Sequence, residues 1–198
     1  MPYVTNSIAL GMVFAVMFGS NPNGLINSLL ISMGNNAIDW LGAATDGNSS
    51  ALMIRFTGMA VLIIYIVWQA LPFKILILLG GLQSINKQYY DAARVDGTSK
   101  ARVLTKITVP LLSPMLAYVV ITGFIGGFKE YSSIVGIFGD DMQAVGTEHT
   151  LNTMVGYIYD ALPKMNYGQA SAAALILFAI IFVVTMINLQ ISKKRVHY

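Results

Sequence analysis

Long apolar stretches alternate with short polar segments along this chain. An α-helix rises about 1.5 Å per residue, so roughly 20 apolar residues are needed to cross the hydrocarbon core of a bilayer. By this measure we predict four membrane-spanning helices, over residues 2–19, 53–79, 111–128 and 169–191. A secretory signal peptide is the competing interpretation of the first stretch, but it lacks both a basic leading region and a small-residue cleavage site.

Shorter periodic stretches lie between the predicted spans. A turn at 21–24 is followed by apolar residues at helical spacing over 25–33, which are too few to span and indicate a helix along the outer face of the membrane. Residues 42–50 form a loop rich in Gly, Asn, Ser and Asp. Within a long outer segment over 129–168, residues 151–162 show the apolar spacing of another amphipathic helix.

Three features inside the predicted spans bear on transport. Pro72 removes a backbone hydrogen bond and should bend the second span, either as a packing kink or as the wall of a cavity. Gly123 and Gly127 form a Gly-x-x-x-Gly pattern, which usually marks close contact between helices. We place Lys74 near the end of a span, so that the central portions of all four spans lack Asp, Glu, Lys and Arg. This absence argues against a channel or an ion-coupled carrier, which normally bury ionisable groups at mid-span.

Composition supports a membrane protein and excludes several other classes. Hydrophobic residues make up 56% of the chain and charged residues 11%, about half the charged fraction of a soluble domain. The net charge of +3 does not indicate nucleic-acid binding, because the basic residues sit at span ends rather than in one patch. Without cysteine there are neither disulfides nor thiolate metal sites, and His149 and His197 lie far apart. We therefore expect no metal, no cofactor and no catalytic constellation.

The basic residues are unevenly divided between the two sets of loops. One set carries Lys87, Arg94, Lys100, Arg102, Lys106, Lys193, Lys194 and Arg195. The other set carries only Arg55, Lys129 and Lys164. Because loops rich in Lys and Arg face the cytoplasm, we predict that both ends of the chain and the loop over 83–110 are cytoplasmic.

The loop between the second and third spans is the long polar and basic segment of the chain. The stretch 90–95 has the composition of a short helix, and Gly97 can take the left-handed conformation that ends one. A second helical pattern follows over 103–107, with apolar residues on one face. Pro110 and Pro114 lie where we expect the next helix to begin, since the first turn of a helix leaves its N–H groups unpaired.

Three motifs in this loop fall at fixed spacing: Asp91-Ala-Ala, then Gly97 six residues after Asp91, then Ile107-Thr-Val-Pro110. They resemble the EAA loop of binding-protein-dependent ABC importer permeases, with Asp91 in place of the usual Glu and Val109 in place of the usual Leu. The resemblance implies a short coupling helix that docks in a cleft of the ATPase subunit. The simpler alternative is an ordinary basic cytoplasmic loop between two spans.

The residues that the resemblance assigns to ATPase coupling are Tyr90, Asp91, Ala92, Ala93, Asp96, Gly97, Ile107 and Pro110. Ala92 and Ala93 would permit close approach to the ATPase, and Gly97 would set the angle between the two loop helices. Asp91 would pair with an Arg of the ATPase. Alternatively, Asp91 would be a solvated charge at the start of a helix, where the helix dipole favours it.

Further segments resemble the sugar-importer branch of the same family. They cover nearly the whole chain and are Pro2-Tyr-Val-Thr-Asn, Asn21 to Asn27, Trp68 to Phe73, Phe128-Lys129, Tyr167 to Ala172 and the closing Lys-Lys-Arg-Val-His-Tyr. The resemblance implies an all-α, polytopic helical bundle that serves as the permease subunit for an oligosaccharide or for glycerol phosphate. Such subunits usually have six spans, and this chain begins where their third would start. We therefore expect an incomplete six-span core, with about four spans in one transmembrane domain over 1–198.

For the substrate path the resemblance implies Gln69, Phe73, Gly123, Gly127 and Glu130. Aromatic faces suit the C–H surfaces of a sugar, amides and carboxylates suit its hydroxyl groups, and polar groups within a membrane are costly enough to suggest a function. Simpler explanations exist for each residue. Phe73 could face lipid or the core, the glycines could serve packing, and Lys129 with Glu130 could form an interfacial pair.

The resemblance also implies how such a subunit is driven. No Gly-x-x-x-x-Gly-Lys-Ser/Thr motif occurs in the sequence, so a separate ATPase would hydrolyse ATP and the chain itself is not expected to be an enzyme. The implied partners are a second homologous permease subunit, a dimer of cytoplasmic ATP-binding subunits, an extracytoplasmic sugar-binding protein and the lipids of a bacterial plasma membrane, with no nucleic acid. The alternatives are an ion-coupled carrier or channel, and a membrane scaffold, neither driven by an ATPase.

Overall fold

The computed structural model describes residues 2–19, 21, 24–42, 51–139 and 151–195, without the side chains of 2, 51–55 and 193–195. In chain order these residues form a 3-10 turn at Pro2–Val4 and the helices α1 (Ser7–Met17), α2 (Leu25–Ser32), α3 (Ala51–Ser84), α4 (Lys87–Val95), α5 (Lys100–Val103), α6 (Val109–Phe128), α7 (Ser132–Phe138), α8 (Met154–Ala161) and α9 (Tyr167–Arg195). A π-helical segment, Leu104–Thr108, joins α5 to α6. No strand occurs in these ranges, and the all-α prediction is confirmed. The predictions for residues 43–50, His149 and His197 lie outside the described residues.

Three helical runs in the described ranges are long and apolar enough to cross a membrane: Phe56–Ser84, Lys100–Phe128 and Tyr167–Ser192. They confirm the predicted second, third and fourth spans as helices. Each run is longer than predicted, because residues at its ends continue the helix beyond the apolar window on which the prediction depends.

The first apolar stretch forms a shorter helix than predicted. α1 has 11 residues and is about 16 Å long, which is less than the thickness of the hydrocarbon core. Its start is fixed by Asn6, whose side-chain oxygen accepts hydrogen bonds from the backbone N–H groups of Ile8 at 2.9 Å and Ala9 at 3.3 Å. The prediction of one membrane-length helix over 2–19 is therefore wrong, because a capping residue lies inside the apolar stretch.

The two amphipathic helices predicted between the spans are both present. α2 begins after Gly24, and α8 begins after Thr153, whose hydroxyl accepts a hydrogen bond from the N–H of Gly156 at 3.2 Å. The position of these helices on the outer face of the membrane stays a prediction.

The chain divides into two compact units. Unit 1 comprises Met1–Pro72 and Lys129–Ala174, and unit 2 comprises Phe73–Phe128 and Leu175–Tyr198. Two of the dividing points fall inside α3 and α9, so each of these helices contributes to both units. Pro72 does not interrupt α3, which continues as one helix of 34 residues through the position of the predicted bend.

The core of unit 1 forms where α1 crosses α7. Gly11 and Gly136 meet so closely that a Cβ on Gly11 would lie 2.7 Å from the Cα of Gly136. Five consecutive residues of α7, Ser133 to Ile137, are buried. A helix buried on all sides shows no amphipathic pattern, and the predicted outer segment over 129–168 omits α7 for this reason.

Aromatic side chains extend this core along α3. The ring of Phe14 packs against Tyr65 and Trp68, with centroids 5.0 and 5.3 Å apart. Phe18 packs edge-on against Trp40 at 5.6 Å. Such ring pairs add to the apolar area that they bury, and they hold α1 against the first half of α3.

One buried amide organises the segment that follows α1. Asn27 in α2 is 0% exposed. Its side-chain nitrogen donates hydrogen bonds to the backbone oxygens of Gly19 at 3.2 Å, Asn21 at 3.3 Å and Ile38 at 2.9 Å. Its side-chain oxygen accepts from the N–H of Ile38 at 3.1 Å and from the indole N–H of Trp40 at 2.9 Å. Asn27 therefore ties the residues before and after α2 to the helix itself.

In unit 2 the second half of α3 packs against α6. Gly81 allows the close approach, because a Cβ at this position would lie 2.7 Å from side-chain atoms of Leu112 and Met115. Further along, the ammonium of Lys74 lies beside Gly123. The contacting residue numbers fall from Gly81 to Lys74 along α3 while they rise from Leu112 to Gly123 along α6. The two helices are therefore antiparallel, and α4 and α5 lie in the connection between them.

Candidate functional site

The predicted coupling helix is α4, and Gly97 closes it. Gly97 has a φ of +64°. Its N–H donates to the carbonyl of Arg94 at 3.2 Å, and the N–H of Thr98 donates to the carbonyl of Ala93 at 2.9 Å. These two bonds around a left-handed residue form the Schellman motif, which turns the chain sharply out of a helix. The prediction that Gly97 ends this helix is confirmed.

Asp91 lies in the middle of α4 and not at its start. The helix begins at Lys87, after Asn86, whose side-chain oxygen accepts a hydrogen bond from the N–H of Gln88 at 3.0 Å. Asp91 is thus beyond the first turn, and its interpretation as an N-terminal charge is wrong. Its carboxylate lies 3.6 Å from the guanidinium of Arg94, and both side chains are exposed. An exposed ion pair of this kind contributes at most about 1 kcal/mol to stability. The carboxylate of Asp91 therefore stays available to a partner protein.

α4 buries one side and exposes another. Ala93 is buried, and the hydroxyl of Tyr90 lies within hydrogen-bonding distance, 3.3 Å, of the hydroxyl of Thr108 in the π-helical segment. Positions three residues apart share one side of a helix. The exposed side carries three apolar or aromatic residues at this spacing, Tyr89, Ala92 and Val95. Val95 is 88% exposed, and we call these three residues the exposed α4 face.

The remaining predicted coupling residues lie at the ends of the loop helices. Asp96 is the C-cap residue of α4 and is exposed. Ile107 lies in the π-helical segment, and Pro110 is the second residue of α6.

The π-helical segment replaces the helix start predicted at Pro110. The helical run is unbroken from Lys100 to Phe128, so Pro110 and Pro114 both lie inside it and the predicted start is wrong. Proline has no N–H, and in an α-helix Pro110 would leave unpaired the carbonyl four residues earlier. In the π-helical segment the bonding shifts by one residue, and the N–H of Val109 donates to the carbonyl of Leu104. In a π-helical segment, a carbonyl that lacks a donor four residues later can accept a hydrogen bond from the N–H group five residues later.

The five predicted substrate-path residues fall into two groups. Gln69 and Glu130 belong to unit 1, where they line one polar cleft. Phe73, Gly123 and Gly127 belong to unit 2, and the two glycines line an apolar cleft there. The boundary between the two units falls within α3, between Gln69 and Phe73, which are only four residues apart in the sequence. The sequence pattern therefore cannot show that these two residues belong to different units.

The polar cleft of unit 1 has a volume of about 430 Å³. The hydroxyl of Ser7 donates to the side-chain oxygen of Gln69 at 3.3 Å and lies 3.3 Å from the hydroxyl of Tyr65. The Tyr65 hydroxyl in turn donates to the backbone oxygen of Ser7. Tyr3 and Lys129 also line the cleft. Hydroxyl, amide and phenol groups beside an aromatic ring are groups that can bind a carbohydrate.

Glu130 lines the same cleft but also holds two helices in place. Its carboxylate accepts a hydrogen bond from the N–H of Ser133 at 3.1 Å, in the first turn of α7. Its backbone oxygen accepts one from the hydroxyl of Thr153 at 2.9 Å, just before α8. The unpaired N–H groups and the dipole at a helix start both favour a carboxylate there. The alternative ion pair with Lys129 does not form among the described side chains.

Gly123 and Gly127 do not mediate close helix packing within the described chain. A Cβ on Gly127 would have no atom within 4 Å, and one on Gly123 would meet the ammonium of Lys74 at 3.4 Å. The packing explanation of this Gly-x-x-x-Gly pattern therefore has no partner helix among the described residues and stays a prediction. The glycines instead open a cleft of about 490 Å³, whose walls include Phe124 and Phe128. Phe73 is partly exposed and lines neither cleft.

Lys74 is a further candidate functional residue, which the sequence pattern places near the end of a span. Because α3 continues to Ser84, Lys74 lies about 15 Å of helix from that end and about 27 Å from Phe56. The run Phe56–Ser84 is about 43 Å long and exceeds the hydrocarbon core of about 30 Å, so the prediction that the span interiors lack ionisable groups stays a prediction. The predicted span ends at residue 79, whereas Gly-Gly-Leu over 80–82 continues the helix toward Ser84.

These elements define a class of protein: an α-helical, multi-pass membrane protein with a capped loop helix between two of its long helices. Comparison with known proteins narrows the class. Residues 1–198 match the model of a family described as "binding-protein-dependent transport system inner membrane component", and this chain belongs to that family. The family comprises transport components rather than enzymes.

Curated relatives and solved structures agree with this assignment. The arabinooligosaccharides transport system permease protein AraP of Bacillus subtilis is 30% identical over 195 residues, which are 96% of this chain and 56% of the relative. The sn-glycerol-3-phosphate transport system permease protein UgpA of Brucella suis is 28% identical over 100% of this chain and 62% of its own length. The chain thus spans about three fifths of the length of these relatives.

A structural match shows the fold. The crystal structure of a bacterial ABC transporter involved in the import of the acidic polysaccharide alginate contains a chain that matches with a TM-score of 0.77. The sequences are 22% identical, and the match covers 98% of this chain and 62% of that chain. The fold is therefore that of an ABC importer permease, and the predicted fold class is confirmed.

Proposed function

We propose that this chain is a permease subunit of an ATP-driven sugar importer. It would form part of the translocation pathway and couple to a separate ATPase through α4. Family membership supports the proposal, as do relatives named for the transport of arabino-oligosaccharides and glycerol 3-phosphate. The observation that carries it is the exposed α4 face, because apolar side chains projecting from an otherwise polar loop helix suit contact with another protein.

Coupling requires that a displacement of α4 reach the long helices. Only Ile85 and Asn86 separate α4 from α3. On the other side, the contact between Tyr90 and Thr108 joins α4 to the helical run from Lys100 to Phe128, which is unbroken over 29 residues. Closure of two ATP-binding subunits would therefore move one end of a long helix, and the resulting tilt would turn the sugar pathway from one side of the membrane to the other. A binding protein outside would deliver the sugar, and a second permease subunit would complete the pathway.

Replacing Gly97 by Val should uncouple ATP hydrolysis from sugar. No atom lies within 4 Å of a Cβ at this position, so the substitution acts on the backbone and not on packing. A β-branched residue at a φ of +64° is strained by about 1–3 kcal/mol, which favours opening the turn that sets the direction of α4. We expect sugar-stimulated ATP hydrolysis by the assembled complex to fall several-fold.

Gly34 provides a matched control for this substitution. It closes α2 with the same motif, at a φ of +82° and with no atom within 4 Å of a Cβ. The N–H of Gly34 donates to Ile31 and the N–H of Asn35 donates to Leu30, both at 2.9 Å. Gly34→Val should therefore add comparable strain and leave coupling intact. Unchanged stimulation in Gly97→Val complexes that retain their ATPase would count against the docking role of α4.

We propose that the α4–α5 loop faces the cytoplasm and that the turn between α8 and α9 faces the opposite side. The distribution of Lys and Arg supports this orientation. The chain has no cysteine, so single cysteines can be introduced at two exposed positions, Ser99→Cys and Met165→Cys. A membrane-impermeant maleimide should label Met165→Cys in intact spheroplasts and Ser99→Cys only after the membrane is opened. Labelling of Ser99→Cys from outside would overturn both the orientation and the contact with a cytoplasmic ATPase.

An ion-coupled carrier is the second candidate function, and Lys74, which lies within the long apolar run Phe56–Ser84, is the ionisable group on which it would depend. The two functions differ in their source of energy. Import that continues after deletion of the partner ATPase would support the carrier, and import that stops would support the proposed function.

A further inference from the structure

The apolar cleft of unit 2 contains one charged group. Its walls include Val119, Phe124 and Phe128 of α6, and the gap between them is left by Gly123 and Gly127. The charged group is the ammonium of Lys74, which reaches this cleft from α3. The volume of about 490 Å³ lies within the range of about 300–1,000 Å³ that is typical of small-molecule sites.

Lys74 has no counter-charge within the part of the chain that the structure describes. Neither a salt bridge nor a hydrogen bond from these residues reaches its ammonium. A lysine within a membrane span normally faces the interior of the bundle or a water-filled path, and it pairs with an opposite charge. Lys74 is therefore available to an anion from outside the described chain.

The side chain of Lys74 extends away from the α4–α5 end of α3. A lysine near the end of a span can extend along the helix and place its ammonium in the headgroup region. Lys74 instead reaches across to α6, where its ammonium lies 3.4 Å from the Cβ position of Gly123. Gly123 is five residues before Phe128, the last residue of α6, and so it lies in the half of α6 away from the α4–α5 loop.

The surroundings of the ammonium fit a sugar better than they fit a simple ion. Gly127 leaves open space beside the charge, because a Cβ on it would have no atom within 4 Å. Phe124 and Phe128 offer aromatic surfaces in the same cleft, against which the C–H face of a sugar ring can pack. A small inorganic anion would pair with the ammonium but would make no contact with the rings of Phe124 and Phe128.

We propose that Lys74 binds the anionic group of an acidic sugar, so that the solute carried by this permease bears a carboxylate or a phosphate. This inference rests on the proposed function and narrows its substrate to one chemical class. Carboxylate and phosphate offer the ammonium the same chemistry, that of an oxyanion, and the experiment separates the two. Lys74 sets specificity in this scheme, while Phe124 and Phe128 bind any sugar ring.

The experiment measures uptake by the intact transporter, with its ATPase and binding protein, of three labelled solutes. They are an oligogalacturonide, glycerol 3-phosphate and the neutral sugar arabinotriose. We expect wild type to import one of the two acidic solutes and to discriminate against arabinotriose. Lys74→Gln should lower the import of that acidic solute about tenfold or more, since a charge-assisted hydrogen bond is lost, and Lys74→Arg should retain most of it.

Lys164→Gln serves as the matched control, because it removes an exposed lysine with the same change in net charge. It should leave all three rates unchanged. Since every variant works with the same binding protein, a difference between Lys74→Gln and wild type reports on the permease. Copurification of the ATPase with each variant shows that the complex has assembled.

Two results would overturn the proposal. The first is import of arabinotriose by wild type at least as fast as import of either acidic solute. The second is equal import of the acidic solute by wild type and an assembled Lys74→Gln complex, as expected if a lipid phosphate or a carboxylate of a second subunit pairs with Lys74. If Lys74→Gln does not assemble, the solute panel with wild type decides the question.

The same assay separates this proposal from the proposed function. Arabinotriose that stimulates both ATP hydrolysis and uptake would overturn the acidic-sugar inference and leave an ATP-driven sugar importer in place. An assembled complex in which no sugar, acidic or neutral, stimulates ATP hydrolysis would overturn both.

Discussion

A leucine in place of Gly136 is expected to separate α1 from α7 and to destabilise unit 1. A Cβ at this position would lie 2.9 Å from the backbone oxygen of Ile8 and 3.0 Å from the Cα of Gly11. Both are backbone atoms, so no side-chain rotation relieves the clash and one helix must move. We expect a loss of at least about 3 kcal/mol, the upper end of the usual range for overpacking. In heated detergent samples analysed by size exclusion, the unfolding midpoint should fall by about 10 °C.

Gly126→Leu is the control for this substitution. Gly126 also lies in a helix, α6, but a Cβ on it would have no atom within 4 Å. The same change of side chain should therefore leave the midpoint near that of wild type. Equal midpoints for Gly136→Leu and Gly126→Leu would contradict the close crossing of α1 and α7.

Asn27→Leu is expected to lower stability by a similar or larger amount, although the two side chains have nearly the same size. The substitution removes the partner of three backbone oxygens, of one backbone N–H and of the indole of Trp40. A buried polar group left without a hydrogen bond costs about 1–3 kcal/mol, so even partial exposure of these groups to water leaves a loss of about 3 kcal/mol or more. The unfolding midpoint should fall accordingly, and the fluorescence of Trp40 should shift as its environment opens.

Asn35→Leu is the matched control for Asn27→Leu. It makes the same change at an exposed position just after the same helix, α2. It should alter the midpoint little. An Asn27→Leu protein as stable as Asn35→Leu would show that the hydrogen bonds of Asn27 contribute little to stability.

The long helices were predictable because a single physical requirement, an apolar run of membrane length, determines them. α1 was not predicted correctly, although its signal is present in the sequence. Asn6 is followed by Ser7 and an apolar helix, and Asn is one of the residues that most often cap a helix start. Apolar composition outweighed this local signal in the prediction.

α7 had no comparable signal. Its seven residues are too few to show helical periodicity, and the burial of Ser133 to Ile137 gives them no polar side. What identifies α7 is its contact with α1 through Gly11 and Gly136, which lie 125 residues apart in the sequence. Contacts across such a separation follow from the assembled fold and not from a local pattern.

The candidate site shows the same distinction. Gly97 was predictable because its left-handed conformation is a local property of the backbone. The position of Lys74 beside Gly123 was not, because it depends on the alignment of α3 with α6 in three dimensions. The separation of Gln69 from Gly123 into different units likewise depends on packing.

The boundary between the compact units at Pro72 has a consequence for how this chain can be divided. Because the boundary cuts through α3, and a second one cuts through α9, neither unit is an autonomous module. A fragment that stopped at either point would end in the middle of a helix. Up to four of its carbonyl groups would then lack hydrogen-bond donors, and the hydrocarbon of a bilayer supplies none. Gene fusion, circular permutation or split-protein reconstitution should accordingly fail at these positions, and the usable breakpoints lie in the connections between helices.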